Sequence, residues 1–287
     1  MVKLPDLRKG DFRETPAPTG SGGPRSCARH SGVTALRVLG EGLQLPLDPA
    51  LQSFRIGRDG PPLTELRMPY PSVSMVHARV TRTRYGGLEI TDEGSKNGLG
   101  APMHRLNWTD YQRVDRVLVD HGDRFALGAV RLLALDEPTA QLAKPLTAYA
   151  GPGAHAEVDR VIAAASWGDL VILRGTHADE VDSVARTLHH HSNRKDQPFL
   201  RVDRLPKSEA QCEELRTRTG SGTVFLDLTR SRRVPRRLLD YLWDRYFWTI
   251  AVAASEDELD ACLGNAWLDR PLDFECCTLG FPRTGAS

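Results

Sequence analysis

Gly57-Arg58, Ser74-Met75-Val76-His77 and Asp92-Glu93-Gly94-Ser95-Lys96-Asn97-Gly98 follow one another in the first half of the 287-residue chain. Strand-like segments lie between them. Ser53-Phe54-Arg55-Ile56 runs into the first cluster, His77-Ala78-Arg79-Val80-Thr81-Arg82 leaves the second, and Leu88-Glu89-Ile90-Thr91 runs into the third. These segments alternate apolar and polar residues with a period near two, as does Thr34-Ala35-Leu36-Arg37-Val38-Leu39. Gly86-Gly87 is a hairpin signal between two of them. Further on, Asp120-His121-Gly122-Asp123 turns into Arg124-Phe125-Ala126-Leu127, and Gly128-Ala129 leads to Val130-Arg131-Leu132-Leu133-Ala134-Leu135. Many short strands separated by turn residues predict an all-β sandwich over residues 31–137.

Composition narrows the partners. The formal net charge is +1, so no global field recruits nucleic acid or an acidic membrane. Five scattered cysteines without C-x-x-C pairing, Cys27, Cys212, Cys262, Cys276 and Cys277, argue against a disulfide framework or a zinc ribbon. They favour a reducing compartment, and with no readable secretory signal and no long apolar run the expected location is the cytoplasm. Residues 1–30 are rich in Pro, Gly, Ser and charge and read as a flexible tail.

Together and in this order, the three clusters resemble the forkhead-associated (FHA) domain, a β-sandwich whose loops read phosphothreonine peptides. The resemblance spans about residues 33–135, including Gly122-Asp123 and Leu127-Gly128 as the family's late turn and final hairpin. It implies that Arg58 contacts the phosphopeptide, that Ser74 binds phosphate, and that Asn97 holds the peptide main chain. It implies that His77 is a buried scaffold tying the loops together, a structural rather than catalytic histidine. The chemistry suits the residue types. A phosphothreonine carries about −1.5 to −2 charges and three strong acceptors. Arg58 offers a planar fork of donors, Lys96 a point charge, Ser74 a hydroxyl and Asn97 both a donor and an acceptor. Gly57, Gly94 and Gly98 permit tight loops and close approach. Two positions depart from the family: Met75 stands where a basic or polar residue is frequent, and Leu99 where threonine is frequent. Ala101 to Asp120 reads as an enlarged loop near the cleft, with Trp108 and Tyr111 either touching a ligand or packing down.

Asp136 to Gly153 holds three prolines and reads as a linker, set at residues 138–154. From residue 155 to 287 the texture is α/β. Ala156 to Ser166 has helical spacing, Asp169-Leu170-Val171-Ile172-Leu173 is a buried strand, Val181 to His191 is helical, and Thr223-Val224-Phe225-Leu226 is another buried strand. Several segments resemble the start of the AAA+ core of bacterial enhancer-binding activators, the sigma-54-type transcription regulators. They are Val171-Ile172-Leu173-Arg174-Gly175, Val184-Ala185-Arg186-Thr187-Leu188-His189, Ser192-Asn193-Arg194, Pro198-Phe199, Gly222-Thr223-Val224-Phe225-Leu226-Asp227 and Ile250-Ala251-Val252-Ala253-Ala254-Ser255.

On that alignment the phosphate loop begins at Gly175, but its lysine position is Val181 and two glycine positions are Ala178 and Glu180. Asp179 and Glu180 bring negative charge where phosphate must sit, a repulsion of up to about 4 kcal/mol at close range. Asp227 keeps a metal-holding position, while Leu228 replaces the glutamate that activates water. The segment from Asp203 to Gly220 is too short for the family's sigma-contacting excursion, and no lid follows before Arg283. The resemblance thus implies a truncated, non-hydrolysing pseudo-AAA+ domain without cofactor, used for protein interaction.

The basic run Arg230-Ser231-Arg232-Arg233 with Arg236-Arg237 reads as a solvated helix face, with contact to nucleic acid or an acidic partner as the alternative, and His189-His190-His191 carries no metal assignment. Three functions remain open. The first is a phosphothreonine-binding adaptor downstream of a bacterial-type Ser/Thr kinase, with a second protein partner on the C-terminal half. The second is a transcription regulator that retains nucleotide binding. The third is a phosphate-independent scaffold.

Overall fold

The computed structural model describes residues 32–104, 109–230, 233–264 and 276–280. The tail of residues 1–30, Trp108, Ser231 and Arg232 lie outside the described residues.

Among the described residues, eleven strands build the N-terminal half: β1 (Ala35–Val38), β2 (Gln44–Pro46), β3 (Ser53–Gly57), β4 (Leu66–Arg67), β5 (Ala78–Arg82), β6 (Leu88–Asp92), β7 (Leu99–Pro102), β8 (Tyr111–Val114), β9 (Arg116–Val119), β10 (Arg124–Leu127) and β11 (Val130–Leu135). They form two sheets, in the orders β2-β1-β11-β10-β7-β8 and β4-β3-β5-β6-β9. Alternation does what the sequence promised in the second sheet. Phe54, Ile56, Ala78, Val80, Leu88 and Ile90 point into the sandwich, while Ser53, Arg55 and Arg79 face solvent. Leu36, Val38, Phe125, Leu127 and Leu132 fill the core from the first sheet. The segment read as an enlarged loop after Ala101 is instead largely sheet. β7 and β8 pair antiparallel, with Leu99 opposite Val114 and Pro102 opposite Tyr111, and β9 joins the other sheet beside β6.

In place of the expected linker the chain forms helix α1 (Glu137–Ala150). The prolines do not prevent it. Asp136 caps the helix, its Oδ1 accepting the Thr139 N–H at 3.0 Å, and Pro138 falls in the first turn, where a missing N–H costs nothing. Pro145 removes one interior bond, but Leu142, Leu146 and Ala150 are buried, and each leucine contributes about 1.5–3 kcal/mol. Helix α2 (His155–Trp167) follows and packs beside α1.

The remaining elements alternate: β12 (Leu170–Arg174), α3 (Ala178–His190), β13 (Phe199–Val202), α4 (Glu209–Thr219), β14 (Thr223–Asp227), α5 (Arg236–Trp243), β15 (Trp248–Ala253), α6 (Glu256–Leu263) and β16 (Cys276–Leu279). Their sheet is parallel throughout, in the order β13-β14-β15-β12-β16. Helices cover both faces, as continuous apolar strands require. Val171, Leu173, Phe225, Ile250 and Val252 pack toward α1, α2 and α3. Ile172, Val224, Leu226 and Ala251 pack toward α4, α5 and α6.

The two halves share a core. Ala35, Leu133 and Leu135 turn outward from the sandwich into the cluster built by α1 and α2. β1 and most of β11 are therefore buried on both faces, which breaks the period-two pattern there. Arg37 of β1 meets Asp159 of α2 in a buried ion pair. At the other end of α2, the Trp167 indole N–H donates to the Gly122 carbonyl at 3.0 Å.

Candidate functional site

The three sequence clusters come together at one end of the sandwich. β3 ends on Gly57, and the space for a side chain there is already filled. A Cβ on Gly57 would lie 2.0 Å from the Met75 carbonyl oxygen and 2.7 Å from Thr64 Cγ2. Glycine is thus required by close approach of backbone rather than by an unusual dihedral. The next residue is stitched to the second cluster, with the Arg58 N–H donating to the Ser74 carbonyl at 2.8 Å.

His77 joins the second cluster to the third. Its Nδ1 accepts the Ser74 N–H at 3.1 Å, and its Nε2 lies 3.0 Å from the Gly98 carbonyl. A carbonyl only accepts, so Nε2 carries the proton and the ring is the neutral tautomer. Complete burial points the same way: it depresses the His77 pKa, and the Gly98 bond offsets this only in part. The Gly98 carbonyl also accepts the Gly128 N–H at 2.9 Å, which ties in the final hairpin.

The third loop is fixed from within and from Ser74. Ser95 Oγ accepts the Gly98 N–H at 2.9 Å, and Gly98 takes φ +82°. Ser74 Oγ accepts the Lys96 N–H at 3.0 Å, which leaves the Ser74 hydroxyl proton to donate elsewhere. Asn97 Nδ2 donates to the Ser72 carbonyl at 2.7 Å. The Arg58 and Lys96 side chains are exposed and, among the described residues, make no hydrogen bond or ion pair. Two cations and a hydroxyl donor therefore stand on adjoining, cross-braced loops.

Sequence reasoning missed one member of this site. Arg113 of β8 donates to the Ser95 carbonyl at 3.2 Å, lies 4.0 Å from Asp92, and folds against Gly98. It adds a third cation beside the cleft, and no motif announces it. Ser95 lies within the third cluster, and its hydroxyl closes the loop on Gly98. The two departures have local explanations. The scaffold uses the Met75 carbonyl, while its side chain is 50% exposed. Leu99 is fully buried in the sandwich. Tyr111 packs down: it lies against Gly100, and burial raises its hydroxyl pKa.

The residues aligned with a phosphate loop adopt another arrangement. Val181 is fully buried, directed into the core beside Gly175. Glu180 folds back over the start of α3, Oε2 accepting the Thr176 N–H at 2.9 Å and Oε1 the Thr176 hydroxyl at 2.7 Å. These bonds, the hydroxyl's first, hold its carboxyl below the usual carboxylate range. Asp179 pairs with Arg201 at 2.6 Å. Asp227 accepts the Thr229 hydroxyl at 2.6 Å and the Thr229 N–H at 3.0 Å, and Leu228 is buried in the opposite core layer.

Residues 54–128 match the FHA domain family and are an FHA domain. Among solved structures, the chain is similar to the FHA domain of the CT664 protein from Chlamydia trachomatis, with 24% identity over 36% of this chain and 95% of that one and a TM-score of 0.29. It is similar to the EmbR protein of Mycobacterium tuberculosis in complex with a low-affinity phosphopeptide, at 21% identity over 37% of this chain and 24% of that one, with a TM-score of 0.30. The FHA-1 domain of Rv1747 from Mycobacterium tuberculosis is 22% identical over 36% of this chain and 99% of its own, with a TM-score of 0.27. No curated protein matches the sequence.

Proposed function

Taking residues 54–128 as an FHA domain, we propose that the protein is a phosphothreonine-binding adaptor whose cleft is built by Arg58, Ser74, Lys96 and Asn97. The observation that carries this reading is the set of uncommitted donors on loops that His77 locks together. A fixed scaffold with free cations suits a ligand that brings its own charge and acceptors. Charge-assisted hydrogen bonds contribute about 1.5–3 kcal/mol each, so three or four leave a dissociation constant of about micromolar order after binding costs. The ligand is then a protein or peptide phosphorylated on threonine by a cytoplasmic Ser/Thr kinase.

The C-terminal half, in this reading, is a pseudo-AAA+ domain that offers a second protein surface and hydrolyses nothing. Its sheet supports the comparison. The connection after β12 leaves toward β13 and that after β15 toward β16, so the turn at Gly175 lies at the switch point where such sheets bind ligands. The Glu180 carboxylate takes up donors at that turn, and Val181 supplies no cation. Both features favour an interaction role over nucleotide chemistry.

The test is capture of phosphothreonine peptides from an oriented library beside phosphoserine and unphosphorylated versions. Selective capture that disappears in Arg58→Ala is expected. Equal capture of phosphorylated and unphosphorylated peptides would turn the reading toward a constitutive scaffold.

A further inference from the structure

The β1–β2 turn, Gly40-Glu41-Gly42, stands between helix α2 and the recognition loops. On one side α2 grips it. Asp159 Oδ2 accepts the Gly40 N–H at 2.7 Å, its other oxygen pairs with Arg37, and Arg37 in turn donates to the Gly42 carbonyl at 3.3 Å. His155, at the first turn of α2, lies so close over Gly42 that a Cβ there would come within 2.6 Å of the ring. On the other side, the Tyr70 hydroxyl donates to Glu41 Oε2 at 2.6 Å.

Tyr70 begins the segment that carries the phosphate-facing groups. Its carbonyl accepts the Val73 N–H at 3.0 Å, Ser72 receives the Asn97 amide, and Ser74 is fixed on His77. Its ring packs against the sandwich core. Partial burial and the bond to Glu41 push its hydroxyl up to about 12, so it remains a protonated donor throughout the neutral range.

We infer that Tyr70 is a positioning residue for the Ser72–Ser74 loop, and that α2 sets its place through the clamped Gly40-Glu41-Gly42 turn. An exposed glutamate in a single hydrogen bond adds little to global stability. What this bond does is fix the loop to a turn that the other half of the protein immobilises. The inference rests on the phosphothreonine reading for its function and on geometry alone for the tether. The α/β half thereby acts on the cleft without touching the ligand.

Amide hydrogen exchange on the full chain tests the tether directly, read over residues 68–77 in Tyr70→Phe, Glu41→Ala, the double variant and His155→Ala. Faster loop exchange is expected in each single variant, with the Tyr70→Phe and Glu41→Ala effects no greater in combination, and with the thermal midpoint of those two nearly unchanged. The same variants should weaken a captured phosphothreonine peptide by roughly threefold to tenfold. Loop exchange indifferent to Tyr70→Phe and Glu41→Ala overturns the inference, as do additive effects in the double variant. A response to those two with none to His155→Ala overturns the part played by α2. If the parent protein captures no phosphothreonine peptide, the functional reading falls, and the exchange result still decides the tether.

Discussion

Arg37 and Asp159, separated by 122 residues in sequence, form an ion pair in which the side chains are only 2% and 1% exposed. Removing one partner of such a pair leaves an uncompensated buried charge, which costs about 3–5 kcal/mol, whereas apolar replacement of both is often near neutral. Asp159→Ala should therefore destabilise the chain strongly, and Arg37→Met combined with Asp159→Leu should recover most of the loss. Urea unfolding of the full chain measures both. One transition rather than two is expected in the parent, because Leu133 and Leu135 share a core with α1 and α2.

Gly57→Ala disturbs the approach of the Met75 carbonyl, and Met75→Lys leaves that carbonyl in place. The Met75 carbonyl blocks any side chain at Gly57, so Gly57→Ala should cost on the order of 1–3 kcal/mol and weaken phosphothreonine capture. The Met75 side chain is 50% exposed, so Met75→Lys should change stability by less than about 0.5 kcal/mol. It should also strengthen capture, by adding a cation beside Ser74. Denaturant titration and peptide binding on the two variants separate the effects.

Acidification should act through His77. The unfolded chain protonates this residue near pH 6.5, and the buried imidazole protonates only at lower pH. Its contribution to stability is complete above about pH 6.5 and is lost as pH falls through the folded pKa. His189 and His191 are shifted in the same direction, again chiefly by burial. The urea midpoint should drop between about pH 7.5 and about pH 5, and the drop should be shallower in His77→Asn. An identical slope in both proteins would exclude His77 as a source of the pH dependence.

Placing a lysine at position 181 should not create a nucleotide site. Val181 is fully buried, and an ammonium there carries a desolvation penalty of several kcal/mol. Val181→Lys is expected to destabilise the protein without creating magnesium-dependent ATP binding, since Glu180 still engages the Thr176 N–H. Titration with a fluorescent ATP analogue checks this, and a tight magnesium-dependent signal in the parent would favour the alternative in which the α/β half retains nucleotide binding.

The meeting of the three loops was legible because close backbone approach demands glycine at 57, and a loop tie demands a group like the His77 imidazole. Such constraints leave residue types at fixed spacing. Arg113 left no such trace: it reaches Ser95 through the β7–β8 pairing, which a reading of 101–120 as loop concealed. Helix α1 was hidden by Pro138 and Pro145, whose positions relative to the Asp136 cap make them tolerable. The contact between halves was not legible either. It depends on Ala35, Leu133 and Leu135 facing away from their own sandwich, and local periodicity cannot tell a strand buried on both faces from a strand buried on one.

Helix α1 and the shared core have a consequence for how the protein would bring two molecules together. A flexible linker would let one bound partner search a volume around the other, giving an effective concentration set by how well the linker's length matches the span. Here the cleft at Ser74 and the surface of the α/β half belong to one packed body, so the relative orientation of anything held by each is set in advance. Simultaneous engagement then becomes a question of fit: it is strongly favoured for a pair of partners whose geometry matches, and denied to a pair whose geometry does not.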